Sequence, residues 1–482
     1  MTFDVLFRDV TVVDGVGAAP YNADVAIRGD RIAAIGKLGD GIAQRIIAGA
    51  GRCLMPGFID VHTHDDINVI RTPDMLAKIS QGVTTVIVGN CGISASPVTL
   101  TGAPPDPMNL LGVQDEFVYP TFGAYADAVE HAHPSVNVAA LIGHTALRAN
   151  VMAQFDRPAA EHELQQMRAA LDAALNAGAI GLSSGLAYTN ARQAPATEMQ
   201  RLVDIVGAHG ALYTTHMRNE HDGLLDSLQE SFSTARQAGA DLVISHLKCA
   251  GAGNWGRAPQ ALAALEKAAR EQPCNCDCYP YAASSTTLDA WRVDGKMDIF
   301  ITWSEPHPEM ARQTLKDIAE QWGIDQWQAT ERLRPAGAIY HMMSEDDVRM
   351  ILAHPLSMVG SDGLPNDPNP HPRLWGTFPR VLAHYCRDLQ LFDVAEAVRK
   401  MTGLSAARFR LQDRGVVREG AFADLTLVDM SRIQDVATYR DPCRQAPGID
   451  LVMVNGVVSY QGGRVTGRQG RLLKRQSAAG VM

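Results

Sequence analysis

The chain has 482 residues, enough for two or three structural units at roughly 150 residues each, which excludes a peptide hormone or a disulfide-stapled miniature. Its 43 Lys and Arg against 53 Asp and Glu leave a formal charge of −10 with no block of like charge, so neither a nucleic-acid partner nor a membrane-binding arm is expected. With 46% hydrophobic residues, no apolar leader at the start and no apolar run long enough to span a bilayer, the chain reads as a cytoplasmic globular protein.

Short alternating runs open the sequence, around 10–13, 24–28 and 31–35, separated by Asp14-Gly15 and Gly29-Asp30, and predict hairpin strands. The same texture returns at 423–429 and 451–458, which predicts one small β-sandwich domain built from both termini, 1–56 and 412–482. Between them, eight apolar runs alternate with longer helical stretches: 58–62, 85–91, 137–144, 179–185, 212–216, 241–246, 275–281 and 357–362. Eight strands joined by helices such as 159–177 and 259–270 predict an α/β fold, a (β/α)8 TIM barrel over 57–287 and 344–411. The gap between strands seven and eight exceeds what one helix needs. It predicts an inserted, lid-like segment, 288–343, that holds four of the six Trp.

Eight Cys are too few for a disulfide scaffold. Cys274, Cys276 and Cys278 would share one face of strand seven, but three thiols in line do not converge on an ion, so they read as packed small residues. The chemistry is concentrated elsewhere. Phe58-Ile59-Asp60-Val61-His62-Thr63-His64 ends the first strand with two imidazoles on one side of an extended chain. Cys91, His216, His246 and Asp362 follow strands two, five, six and eight. Taken alone, each is more often a capping or hydrogen-bonding residue than a ligand. Six donors at equivalent ends of five parallel strands are hard to explain by packing, because those ends converge on one rim, where barrel active sites assemble. Thiolate and imidazole favour zinc or a neighbouring divalent transition metal over magnesium or calcium.

The segment Met55-Pro56-Gly57-Phe58-Ile59-Asp60-Val61-His62-Thr63-His64 resembles the opening of the amidohydrolase superfamily, and Gly29-Asp30-Arg31-Ile32 and Ala48-Gly49-Ala50-Gly51-Arg52 resemble its N-terminal β domain. Val88-Gly89-Asn90-Cys91-Gly92, Gly143-His144-Thr145-Ala146-Leu147-Arg148, Thr215-His216-Met217-Arg218, Ser245-His246-Leu247-Lys248 and Gly360-Ser361-Asp362-Gly363 resemble its N-acyl-D-amino-acid deacylase (D-aminoacylase) branch. Strand four lacks the Lys that many superfamily members carboxylate to bridge two metals, and Cys91 stands where this branch has a metal-binding thiolate.

The resemblance implies one tight zinc ion on Cys91, His216 and His246, beside a second, weaker site lined by His62, His64 and Asp362. Bound zinc lowers the pKa of a water from 15.7 to about 7 and polarises an amide carbonyl. Asp362 is then expected to take the proton of the attacking water and hand it to the departing amine, with His144 either holding the carbonyl or leaving group or supporting from behind. A Ser nucleophile at 181–185 is disfavoured, because the segment is not a Gly-x-Ser-x-Gly elbow. By the same resemblance Lys248, Tyr279, Arg373 and Ser284 or Ser285 would hold the substrate α-carboxylate, with Tyr188 near the scissile amide. Arg292, in the inserted segment, slightly favours an acidic side chain and hence an N-acyl-D-glutamate-like substrate over a hydrophobic N-acyl-D-amino acid. Two further alternatives stay open here: a cyclic-amide hydrolase of the dihydroorotase or hydantoinase type, and a non-catalytic scaffold, against which the complete donor set argues.

Overall fold

The computed structural model describes residues 2–39 and 42–475. Positions 1, 40–41 and 476–482, assigned by sequence to the terminal β domain, lie outside them. Eight parallel strands form the barrel: Phe58–Asp60 (β1), Val83–Val88 (β2), Asn137–Gly143 (β3), Gly181–Gly185 (β4), Leu212–His216 (β5), Asp241–Ile244 (β6), Cys274–Cys278 (β7) and Ser357–Val359 (β8), hydrogen-bonded in sequence order. Every residue of β2 and β3 is buried, as expected of parallel strands covered on both faces. The covering helices carry one apolar stripe. In Glu161–Asn176 it is Leu164, Met167, Leu171, Ala174 and Leu175, and the helix start is capped by Glu163, whose carboxylate accepts from Ala160 N at 2.7 Å.

The sequence pattern runs four strands on to a candidate donor, but their ladders stop two or three residues earlier, at Asp60, Val88, Ile244 and Val359. The reason is local. Cys91 (φ 54°), His246 (φ 35°) and Asp362 (φ 49°) are left-handed, a conformation that interrupts a regular β ladder, so each turns out of its strand just past the end. Cys274, Cys276 and Cys278 pack in the main core, where burial pushes all three thiols up.

β1 and β8 complete the ring, yet their facing edges share no ladder. They meet only past the strand ends, where Asp362 N donates to His62 O (2.7 Å) and His64 N to Gly363 O (3.0 Å). The insertion after β7 folds as a three-stranded antiparallel sheet, Ser284–Thr287, Ile299–Ser304 and Ala336–Tyr340, with helices Leu315–Trp322 and Gln326–Leu333. It is fastened to the barrel mouth: Tyr188 Oη lies 3.4 Å from Thr286 Oγ1, and Thr302 Oγ1 donates to Asp367 at 2.7 Å.

At the termini, hydrogen bonding runs through all nine strands of one sheet. Cys53–Pro56 is the link, parallel to Thr2–Val12 and antiparallel to Leu425–Val428. The sheet encloses its own small core, with Phe7, Val25 and Ile27 from the first segment in one cluster with Leu425, Leu451 and Met453 from the last. Among the described residues no helix is long and apolar enough to cross a membrane.

Candidate metal centre

His62, His64, Cys91, His216, His246 and Asp362 meet at the barrel mouth, all buried. Cys91 Sγ lies 3.1 Å from His62 Nε2 and 3.3 Å from His246 Nε2. Asp362 Oδ1 lies 3.1 Å from His64 Nε2 and 3.5 Å from His62 Nε2. Donor atoms of His62, Cys91, His246 and Asp362 fall within 4.8 Å of one another; His216, Glu220 and His246 form a second such group. The four-donor group thus draws on both of the sites that the family resemblance separates. His216 stands at its side, its ring centroid 4.4 Å from that of His246. The turn that aims Cys91 needs its glycines: a Cβ on Gly92 would stand 2.6 Å from Gly185 N.

Burial alone would push the Cys91 thiol up, but the charges of His62 and His246 hold it well below the usual thiol range. Burial opposes protonation of His62 and His64. Cys91 and Asp277 nonetheless carry His62 well above the usual imidazole range, and Asp362 and Cys91 carry His64 up to about 9. A divalent cation would bind the thiolate and displace the imidazolium protons, releasing them as it binds. Both ring nitrogens of His216 and Nδ1 of His64 are buried without a well-formed hydrogen bond, as lone pairs destined for a metal would be. The donor chemistry therefore fits a thiophilic divalent metal.

Behind the donors stand carboxylates with no sequence motif of their own. Asp277 places Oδ1 3.2 Å from His62 Nδ1 and accepts from His246 N at 2.9 Å. Glu220 Oε1 lies 3.0 Å from His246 Nδ1 and 2.7 Å from Lys248 Nζ. Such carboxylate–imidazole contacts orient ligating rings and fix their tautomer. For Asp277 a signal existed: alternation about the three cysteines puts it on the opposite face of β7, toward the barrel interior. For Glu220 the only hint is its place four residues past His216.

The substrate-binding candidates ring this cluster. Arg373 is wholly buried; Nη1 is 2.9 Å from Asp362 Oδ2, Nη2 donates to Ser285 O at 3.0 Å, and the guanidinium lies 4.6 Å from the Tyr279 ring centroid. The Tyr188 ring is 4.9 Å from that of His216. Ser284 Oγ faces Met342 Sδ at 3.4 Å, and Ser285 Oγ is buried and unpartnered. Arg292, 6% exposed, leaves Nε and Nη2 without a partner and lines a cavity of about 360 Å3 with Glu220, His221 and Trp291. His144 follows β3 beside the Cys91 turn, where its neighbour Thr145 donates N–H to Gly92 O at 2.8 Å, and its own Nδ1 is buried without a partner. Its Nε2 is held 2.8 Å from Glu198 Oε1, an oxygen shared with Arg148, and burial lowers its pKa. Ser183 and Ser184 are tied to Gly89, Gly92, Tyr213 and Thr215, which leaves no free Ser nucleophile on β4.

A buried thiolate–imidazole–carboxylate cluster at the mouth of a (β/α)8 barrel defines a metal-dependent hydrolase. Residues 45–460 match the model of the amidohydrolase family. The chain is 44% identical to the D-aminoacylase of Alcaligenes xylosoxydans xylosoxydans, covering 99% of this chain and 98% of that one, and 44% identical to that organism's N-acyl-D-glutamate deacylase, covering 98% and 97%. Solved structures of D-aminoacylase, 46% identical, match with a TM-score of 0.96 over 98% of this chain and 100% of theirs; one describes a binuclear metal centre with one-metal activation and second-metal attenuation. N-acyl-D-glutamate deacylase from Bordetella bronchiseptica, solved with zinc and a phosphonate mimic of the tetrahedral intermediate, is 42% identical with a TM-score of 0.94, over 98% and 100%. The chain belongs to the amidohydrolase superfamily and, within it, to the D-aminoacylase family.

Proposed function

We propose that this N-acyl-D-amino-acid deacylase is a zinc enzyme that cleaves N-acyl-D-glutamate to a carboxylate and D-glutamate. The carrying observation is the buried convergence of Cys91 with His62, His246 and Asp362. Cys91, His216 and His246 would hold the tighter ion, with His62, His64 and Asp362 lining the weaker site. Bound zinc would polarise the scissile carbonyl and supply hydroxide near neutral pH.

The remaining work falls to side chains. Burial raises the pKa of Asp362, but Arg373 and His62 outweigh it and hold the carboxyl well below its usual range, so it is ionised at neutral pH. It takes the proton of the attacking water and returns it to the amine nitrogen as the C–N bond breaks. Arg373 and Lys248, with Tyr279 and the Ser285 hydroxyl, meet the α-carboxylate, and Tyr188 lies beside the amide. His144 stays outside the proton path, fixed to Glu198. Arg292 meets the side-chain carboxylate: its guanidinium lies 4.2 Å over the Trp291 ring, but its buried Nε and Nη2 lack acceptors, which favours an anionic guest over an apolar one.

The test is product release from N-formyl- and N-acetyl-D-Glu, D-Leu and L-Glu, together with metal analysis. D-Glu derivatives should turn over best, and Arg292→Met should raise their KM roughly 10- to 100-fold, as expected for loss of a charge-assisted hydrogen bond, while leaving D-Leu derivatives unchanged. Equal turnover of D-Glu and D-Leu derivatives would remove Arg292 from specificity. Turnover of a hydantoin with none of the linear amides would restore the cyclic-amide reading.

A further inference from the structure

We propose that Lys78 is a positioning residue of the metal centre: it ties together the two lips of the barrel's closing seam and so sets where Asp362 stands relative to His62 and His64. The inference rests on the reading of those three residues as metal-site groups.

His62 and His64 follow β1, and Asp362 follows β8, the two strands without a shared ladder. Lys78, from the short helix Leu76–Ile79, is wholly buried beneath them. Its Nζ lies 2.8 Å from Asp60 Oδ2 and 3.3 Å from Asp65 Oδ2, so it holds the acids that bracket both imidazoles. It also donates at 2.8 Å to Oγ of Ser361, the neighbour of Asp362. Ser361 returns the link, donating its N–H to Asp60 Oδ1 (2.8 Å) and its hydroxyl to Asp60 Oδ2 (2.6 Å). Thr63, between the imidazoles, donates to Asp65 at 2.7 Å. The lips approach closely enough that a Cβ on Gly360 would come within 2.5 Å of His62 Cβ. A buried ammonium is an expensive way to fill space, and a methionine would pack as well. An ammonium differs in being directional: only with Asp60, Asp65 and Ser361 all in register are its three protons satisfied.

Lys400 provides the comparison. It is equally buried, but it binds the carbonyls of His354 and Ser357 and the Glu396 carboxylate, at the far end of β8 from the mouth. The test compares Lys78→Met, the milder Ser361→Ala and Lys400→Met by zinc titration of the apo proteins, kcat and KM for N-acetyl-D-Glu, and Tm. Lys78→Met should keep the first zinc, weaken the second at least tenfold, and lower kcat at least 30-fold with KM within threefold. Ser361→Ala should shift the same quantities less, and it carries the test alone if Lys78→Met does not fold. Lys400→Met should lower Tm while leaving kcat per zinc-loaded molecule within twofold. The proposal is overturned if the seam variants match wild type in kcat and in the second zinc, or if their losses merely track Tm as in Lys400→Met. Failure of the underlying site reading shows separately, as a wild-type protein that takes up no zinc or an Asp362→Ala variant with native turnover.

Discussion

Cys91, His216 and His246 follow β2, β5 and β6, each hydrogen-bonded to a strand on both sides, whereas His62, His64 and Asp362 follow β1 and β8, each bonded on one side only. The first three donors inherit their spacing from backbone ladders that exist whatever occupies the mouth. The second three depend on two backbone bonds and a knot of side chains at Asp60, Lys78 and Ser361. A donor set on a laddered frame is held in place by backbone bonds, while one on a seam keeps its spacing only as long as its side-chain knot holds. The difference gives a physical reason, independent of ligand softness, for the proposed division into a tighter and a weaker site on the same rim.

Substitutions on the two halves should fail differently. Cys91→Ala removes the thiolate from the ladder-borne half; zinc content should collapse and turnover should fall by about 10³-fold or more, since the metal supplies several kcal/mol of transition-state stabilisation. Asp362→Ala acts on the seam-borne half: turnover should fall by roughly 10²- to 10⁴-fold while the first zinc remains. Should that variant lose all zinc, the halves are one site and the comparison dissolves. Asp277→Asn breaks the contact behind His62 from β7, within the ladder, and should weaken metal binding or activity by about 10- to 100-fold.

The barrel was legible because eight apolar runs recur between helical ones, and the donors because they fall just past the same end of five of them. What escaped was whatever depends on partners far apart in the chain. Asp277 finds His62 across 215 positions, and Lys78 finds Ser361 across 283. Neither separation leaves a periodic trace, although a Lys inside the apolar stretch Leu76-Ala77-Lys78-Ile79 was a visible anomaly. Strand ends were overrun because a left-handed Cys, His or Asp carries no sequence signature of the kind a glycine gives. How the two terminal segments join left no trace either, because pairing Cys53–Pro56 with Leu425–Val428 is a long-range choice that alternation alone cannot express.

The smallest expected effects extend the contrast outward to two buried carboxyls. On the ladder side, burial would raise Glu198, but His144, Arg148 and the Ala159 N–H bring it down to about 2. A folded pKa below the unfolded value means stability that is present above about pH 4.5 and lost as pH falls toward 2. Glu198→Gln should therefore lower Tm by several °C, by similar amounts at pH 6 and pH 8. On the seam side, beyond β8, burial pushes Asp367 up to about 6, only partly opposed by the Thr302 hydroxyl and the Asn369 N–H. Here the sign reverses: the cost of folding with this carboxyl grows as pH rises from about 3.8 to 6 and is constant above. Asp367→Asn should raise Tm by a few °C at pH 8 and leave it unchanged near pH 4, with zinc held at one concentration throughout because bound metal itself shifts Tm. A fall in Tm at pH 8 would show that the two hydrogen bonds outweigh the burial of the charge, and that the seam side is no more costly to assemble than the ladder side.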